Sequence, residues 1–224
     1  MIEFIKPEEI EARSFEIIAE ELAGRGIELA PENKDVIMRV IHTTADFDYA
    51  ESLKFSDGAV RVARELIQEG AHIVTDTNMA KAGINKARLA RFGGEVHCFM
   101  ADEDVAAEAK SRGLTRAAVS MERAAALGKK VIFALGNAPT AMIALHEMKK
   151  CGIYRPDFVI GVPVGFVNVV AAKELFLAGE GGTNGDAAGG ADGKPVPYII
   201  NAGRKGGSTV AAAICNALLY GIKE

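Results

Sequence analysis

A histidine in the stretch DVIMRVIHTTADFD (35–48) is the first residue whose type and setting could do chemistry. Val36, Ile37, Val40 and Ile41 make one apolar stripe if this stretch is helical. At about 100° per residue, His42 then falls on roughly the opposite face, together with Met38 and Arg39. That spacing takes His42 out of the core. Imidazole can hold or release a proton near neutrality, which makes His42 a candidate general acid or base. Two other readings stand beside it: a solvated histidine near a helix end, and a metal ligand paired with Asp46 one turn on.

A second candidate lies in NAGRKGGSTVAAA (201–213), where an apolar run leads through Gly-Arg-Lys-Gly-Gly-Ser into an Ala-rich helical pattern. Glycines expose backbone N–H groups, a helix N-terminus adds positive dipole, and Arg204 and Lys205 add formal charge. Such a turn can cradle a carboxylate; a tight connector with solvated basic residues is the alternative. LGNAPTAMIALHEM (135–148) is another strand-to-helix turn. Asn137 and Thr140 could cap it, Pro139 suits a first helical turn, and open α/β sheets bind ligands at the carboxyl ends of their strands. Arg116 opens a further helix after Thr115 and could clamp a carboxylate with two hydrogen bonds, or simply lie on the surface. Ser14 sits mid-helix among apolar neighbours, where a small packing residue is the ordinary reading.

The elements that would position these residues can be read from periodicity. Pro7 opens a helix carried by Ile10, Ser14, Ile17, Ile18 and Leu22 and closed by Gly24 and Gly26. A second helix covers about 32–44, and a third begins near Ser56 as N-cap and runs to Gly70. Five short apolar runs follow: AHIVTD (71–76), EVHCFM (95–100), KVIFALG (130–136), FVIGVPVG (158–165) and PYIINAG (197–203). Each is followed by Gly, Asn or Asp and then a helical pattern. Runs that are apolar throughout suit strands buried on both faces. The alternation predicts a three-layer α/β/α domain with a mainly parallel five-stranded sheet. The all-helical first 70 residues pack onto it, giving one domain over 1–224. GEGGTNGDAAGGADGKP (179–195) has too few large apolar side chains to offset its ordering entropy and is expected to be a mobile surface loop.

Several chemistries lack their motifs. The first run ends in TDTNMAKAG rather than GxGxxG, so no glycine turn admits a pyrophosphate. GGADGKP (189–195) has the wrong spacing for a P-loop, and Pro195 stands where a magnesium-binding hydroxyl would be. Neither GxSxG nor HExxH occurs. Nothing demands a metal or a dinucleotide cofactor, and none is expected. The α/β pattern alone would also allow a nucleotide-binding enzyme.

The chain has 224 residues, of which 49% are hydrophobic and 25% charged, enough for one sizeable globular domain. A formal charge of -4 argues against a general nucleic-acid binder but leaves room for a small anion in a local basic pocket. Cys98, Cys151 and Cys215 show no CxxC spacing and read as reduced core or near-core thiols. No apolar stretch approaches the ~20 residues of a membrane helix, and the N-terminus does not read as a signal peptide, so a cytoplasmic protein is expected.

ARSFEII (12–18), RVIHTTAD (39–46), GNAPTA (136–141), GVPVGFV (161–167) and GRKGGS (203–208) together resemble the precorrin-8X methylmutase family, cobalt-precorrin-8 enzymes included. TDTNMAKAGI (75–84) and TRAA (115–118) fit less stringently, and the matches keep the family order from about residue 10 to the C-terminus. The resemblance implies a Rossmann-like α/β/α fold and a homodimer with a corrinoid bound near the interface. It also implies migration of a methyl group from C11 to C12 of the macrocycle, giving hydrogenobyrinate or its cobalt counterpart. It makes His42 the acid–base residue, puts Ser14 and Arg39 on the substrate and adds Arg116 as a further contact. Asn137, Arg204 and Lys205 complete the expected substrate site. Two departures stand out: Ala171-Ala172 precedes Lys173 where the family usually has Glu-Ser, and the Gly-rich segment is longer than usual. A non-catalytic tetrapyrrole carrier is the alternative that Ala171-Ala172 suggests.

Overall fold

The computed structural model describes residues 6–177 and 195–223. A 3₁₀ turn, Pro7–Glu9, leads into α1 (Ile10–Gly24). Then come α2 (Lys34–Thr44), α3 (Tyr49–Ser52), β1 (Leu53–Phe55) and α4 (Ala59–Gln68). The alternating part follows as β2 (His72–Thr75), α5 (Asn78–Gly83), α6 (Lys86–Ala90), β3 (Val96–His97), α7 (Glu103–Arg112) and α8 (Arg116–Ala125). It continues through β4 (Val131–Leu135), α9 (Pro139–Lys150), β5 (Phe158–Gly161), α10 (Val169–Leu177), β6 (Tyr198–Asn201) and α11 (Ser208–Tyr220).

The five expected strands are all present, but among the described residues the sheet has six, in the order β1-β6-β5-β4-β2-β3. The extra strand, β1, pairs antiparallel with β6, while every other pairing is parallel. This corrects the expectation that the first 70 residues are all helical. Leu-Lys-Phe is too short to carry a pattern, and its strand conformation comes from the ladder β6 offers. Ser56 is corrected with it. It does not cap α4, whose N-cap is Gly58; instead its hydroxyl accepts from the Tyr198 N–H at 2.9 Å and extends the β1–β6 pairing.

Side chains on successive strand residues enter opposite layers, as a pleated strand requires. Ile73, Ile132, Ala134, Ile160 and Ile199 pack beneath α1, α2, α4 and α11. Val74, Phe133, Leu135, Val159 and Ile200 pack beneath α8, α9 and α10. The layers are therefore α/β/α, as expected. Nine residues of α11 are buried. Its alanines let it lie close to α2 and α5; a Cβ on Gly83 would come within 2.9 Å of the Ala212 Cβ. Cys98 and Cys215 are buried free thiols, whereas Cys151 is free and exposed just past α9, so only two of the three are core groups. The Gly-rich segment, apart from Pro195, lies outside the described residues.

Candidate functional site

The strand order reverses between β2 and β4, and the loops at their carboxyl ends flank that switch point, the usual ligand crevice of an open α/β sheet. Asp76, buried directly after β2, organises it. Its carboxylate accepts from the N–H groups of Gly136 at 2.9 Å, Asn137 at 2.7 Å and Ala138 at 2.5 Å. Burial pushes the Asp76 carboxyl up, against the pull of those N–H groups. The turn after β4 is thereby locked, with Pro139 at the start of α9 and the Asn137 side chain exposed at its tip. Neither Asn137 nor Thr140 caps α9: its N-cap is Ala138, and the Thr140 hydroxyl accepts from Thr115 at 3.1 Å. That bond ties the start of α9 to the start of α8, where Thr115 is the N-cap and Arg116, the first helical residue, is exposed.

The turn after β6 closes on the same crevice. Ser208 shares a 2.7 Å hydrogen bond with Thr77, which also caps α5. A Cβ on Gly136 would come within 2.7 Å of the Gly207 carbonyl, so the two turns are in backbone contact. Gly206 has φ +155°, and a Cβ there would collide with the Val162 carbonyl. The cradle is less open than the sequence suggested, because the Gly207 N–H already donates to Val162 O at 2.9 Å. Beneath it lies Lys173, 1% exposed. Its ammonium donates to the carbonyls of Gly203 at 2.7 Å and Lys205 at 2.9 Å, and Asn201 donates to the same Lys205 carbonyl at 2.8 Å. Burial pulls the Lys173 pKa down to about 8.

The third wall is the seam of α1 and α2. The His42 ring is half-buried, its centroid 5.2 Å from that of Phe15 and tilted by 55°. Arg39 spreads its guanidinium over Phe15 at 4.9 Å and Tyr220 at 5.2 Å and pairs with Glu11. The Ser14 hydroxyl donates back to the Ile10 carbonyl at 2.8 Å. Met38, expected on the exposed face beside His42, is buried. The reason is that α1 covers a second side of α2, so the stripe that looks solvent-facing in isolation is a seam between helices.

Lys205 joins this wall to the β6 turn. Its ammonium donates to Asp46 and to Asp48, each at 2.6 Å. The Lys205 hydrogen bond holds the Asp46 carboxyl below its ordinary value, and the two carboxylates raise that of Lys205. Asp46 is therefore committed to a lysine, which removes support from its reading as a metal ligand with His42. Arg204 is exposed and lies 5.6 Å from the centroid of Phe166. Phe166 and Val167, 84% and 78% exposed, project an apolar tongue from the loop after β5.

The candidates therefore fall into separate groups: the end of α2 beyond His42 meets Lys205 on the β6 turn beside Arg204, Asn137 and Arg116 lie across the switch point, and Arg39 packs on Tyr220 at the C-terminal end of α11. They do not share one closed cavity. The cavity that Arg39 lines with Phe15, Asp35, Met38, Ala217, Tyr220 and Gly221 is about 330 Å³, and His42 is not part of its lining. Sequence reasoning missed Asp76 and the structural role of Lys173. The signal for Lys173 was present: it occupies a buried helical stripe with Val169, Ala172 and Phe176.

Comparison with known proteins gives a consistent picture. The family model described as precorrin-8X methylmutase matches residues 9–221. The cobalt-precorrin-8 methylmutase of Priestia megaterium is 39% identical, over 96% of this chain and 88% of the relative. That of Salmonella typhimurium is also 39% identical, over 98% and 97%. The crystal structure of precorrin-8X methyl mutase from Thermus thermophilus superposes with a TM-score of 0.79 at 37% identity, covering 95% of this chain and 96% of that one.

Proposed function

From the chain's membership of the precorrin-8X methylmutase family, we propose that it moves a methyl group from C11 to C12 of precorrin-8X or its cobalt form, with His42 as acid–base group. The chain is an isomerase of cobalamin biosynthesis; the carrier alternative is not favoured. One observation carries the assignment of residues. Lys205 bonds Asp46 and Asp48 across 159 and 157 positions of sequence, which puts RVIHTTAD and GRKGGS on one rim.

An isomerisation leaves composition unchanged, so a proton lent to the ring must come back. One group that can hold and release it suffices, and no carbon donor or redox partner is needed. In this reading His42 protonates the conjugated ring, polarising it while the C11–methyl bond breaks and the C12–methyl bond forms, and then recovers the proton. The many carboxylates of the macrocycle would be met by Arg116 and Arg204, and by Arg39 and Lys205 in exchange for Glu11 and for Asp46 and Asp48, with Ser14 and Asn137 as neutral contacts. Phe166 and Val167 offer apolar surface to the ring.

The rim is open in a single chain, and the 330 Å³ cavity beside Arg39 is at the small end of the ~300–1,000 Å³ of ligand pockets. A second copy covering the rim would exclude water from it, and a homodimer of single-domain, cytoplasmic subunits is part of the proposal. No helix among the described residues is long and apolar enough to cross a membrane. The test is incubation of the purified protein with precorrin-8X and, separately, with its cobalt form. A change in the visible spectrum of the ring with either is expected. An unchanged spectrum with both, in an assay that a known methylmutase completes, would refute the proposal.

A further inference from the structure

At the β2–β3 edge of the sheet two imidazoles meet. The Nδ1 of His72 lies 2.8 Å from the Nε2 of His97. Their planes differ by 7° and their centroids are 5.1 Å apart. A nitrogen–nitrogen distance of 2.8 Å is too short for rings stacked face to face, so the rings meet edge to edge. One donates its N–H into the lone pair of the other. The Glu95 carboxylate lies 3.9 Å from the same His97 nitrogen. The three potential ligand atoms are all within 4.8 Å of one another.

We propose that His72, Glu95 and His97 form a binding site for a first-row divalent transition-metal ion of the zinc type. Zinc holds imidazole nitrogen at about 2.0–2.1 Å, which in a tetrahedron puts two nitrogens about 3.3 Å apart. The pair must therefore open by roughly half an ångström, and the carboxylate close by a similar amount. Backbone pairing fixes both histidines, His97 against Val74 and His72 against Val131. The Phe99 ring braces His97 at 5.8 Å. The Glu95 side chain is 72% exposed and can swing inward. Burial, helped by His72 and Lys81 and opposed by Glu95, holds the His97 pKa below its ordinary value, which favours the neutral, ligating imidazole.

Two imidazoles and one carboxylate suit zinc, nickel or cobalt(II) rather than magnesium or calcium, which take oxygen ligands. Three protein ligands leave a fourth position for water. The sequence hid this site because 72, 95 and 97 follow none of the short metal-binding spacings. His72 opens β2, and none of the three ligands is among the groups read as touching the corrinoid, so the site is distinct from the one proposed for the methyl shift. Bound there, it would pin β3, a two-residue edge strand, and stabilise the fold by binding only the folded state.

Untagged, chelator-stripped protein titrated with Zn²⁺ by calorimetry, and with Co²⁺ by visible absorption, tests the site. One equivalent should bind, raise the melting temperature and give Co²⁺ bands of a nitrogen–oxygen site. His72→Gln and His97→Gln should each weaken Zn²⁺ binding by more than about tenfold, since losing even a hydrogen-bonding partner of a ligand costs that much at metal sites. Glu95→Gln, at an exposed side chain, keeps the test open if a histidine variant does not fold. His72→Gln should leave methylmutase turnover unchanged. Absence of one-to-one binding, or an affinity that none of the three substitutions changes, would overturn the site.

Discussion

Replacing Lys173 by Met should leave a protein that folds, grips corrinoid less well, and has lost one specific pH dependence of stability. Met approximates the lysine stem and removes the ammonium. The Gly203 carbonyl then loses its Lys173 donor, whereas the Lys205 carbonyl keeps Asn201. Hydrogen bonds from a charged donor contribute about 1.5–3 kcal/mol each. Against this, burying an ammonium is costly, and an apolar replacement relieves that cost. The two largely offset, so at pH 7 the variant should be less stable by only about 1 kcal/mol. The pH dependence separates the contributions. The folded pKa is about 8 and the ordinary value 10.5. Between them the unfolded chain binds more protons at this residue than the folded one, so wild-type stability rises with pH through that window. The stability difference between wild type and Lys173→Met should therefore widen by about 2 kcal/mol from about pH 7 to about pH 9.5. Urea unfolding of both proteins at the two pH values measures it. A difference that stays constant or narrows would refute the buried, carbonyl-bound ammonium. Weaker corrinoid binding by the variant would show that the β6 turn depends on it.

The remaining predictions concern the rim. His42→Ala should bind corrinoid product with unchanged affinity yet lose about 10²- to 10⁴-fold in turnover, the usual share of a general acid–base group; unaltered turnover removes His42 from the mechanism. Asp46→Asn combined with Asp48→Asn should free the Lys205 ammonium and tighten binding of the anionic macrocycle at low salt, with the gain fading as ionic strength rises. The pairing of Asp46 with Lys205 should weaken as pH falls through the depressed pKa of Asp46, which the Asp46 carboxyl signals in NMR titration would report. Gly206→Ala should cost roughly 1–3 kcal/mol, because its Cβ meets the Val162 carbonyl; a melting temperature equal to wild type would contradict that backbone contact.

Much of this molecule was legible in its sequence, and the reasons are local. Five apolar runs each followed by a turn residue and a helical period specify β2 to β6 and the layers around them. Short segments such as RVIHTTAD and GRKGGS, in the family's order, carry the resemblance. What the sequence could not carry depends on groups far apart along the chain. β1 is a strand only because β6 presents an unpaired edge to it. Met38 is buried only because α1 covers α2 on a second side. The charge of Lys205, free on paper, is held by Asp46 and Asp48, and the β6 turn rests on an ammonium 30 and 32 positions away. Periodicity reports which face of an element is apolar, whereas the partner of each polar group is set by where the elements dock. For that reason the sequence by itself determined the fold class, the family and the candidacy of His42. Only the tertiary structure decided which charges are already spoken for, what supports the turns, and that His72 and His97, 25 positions apart, meet nitrogen to nitrogen.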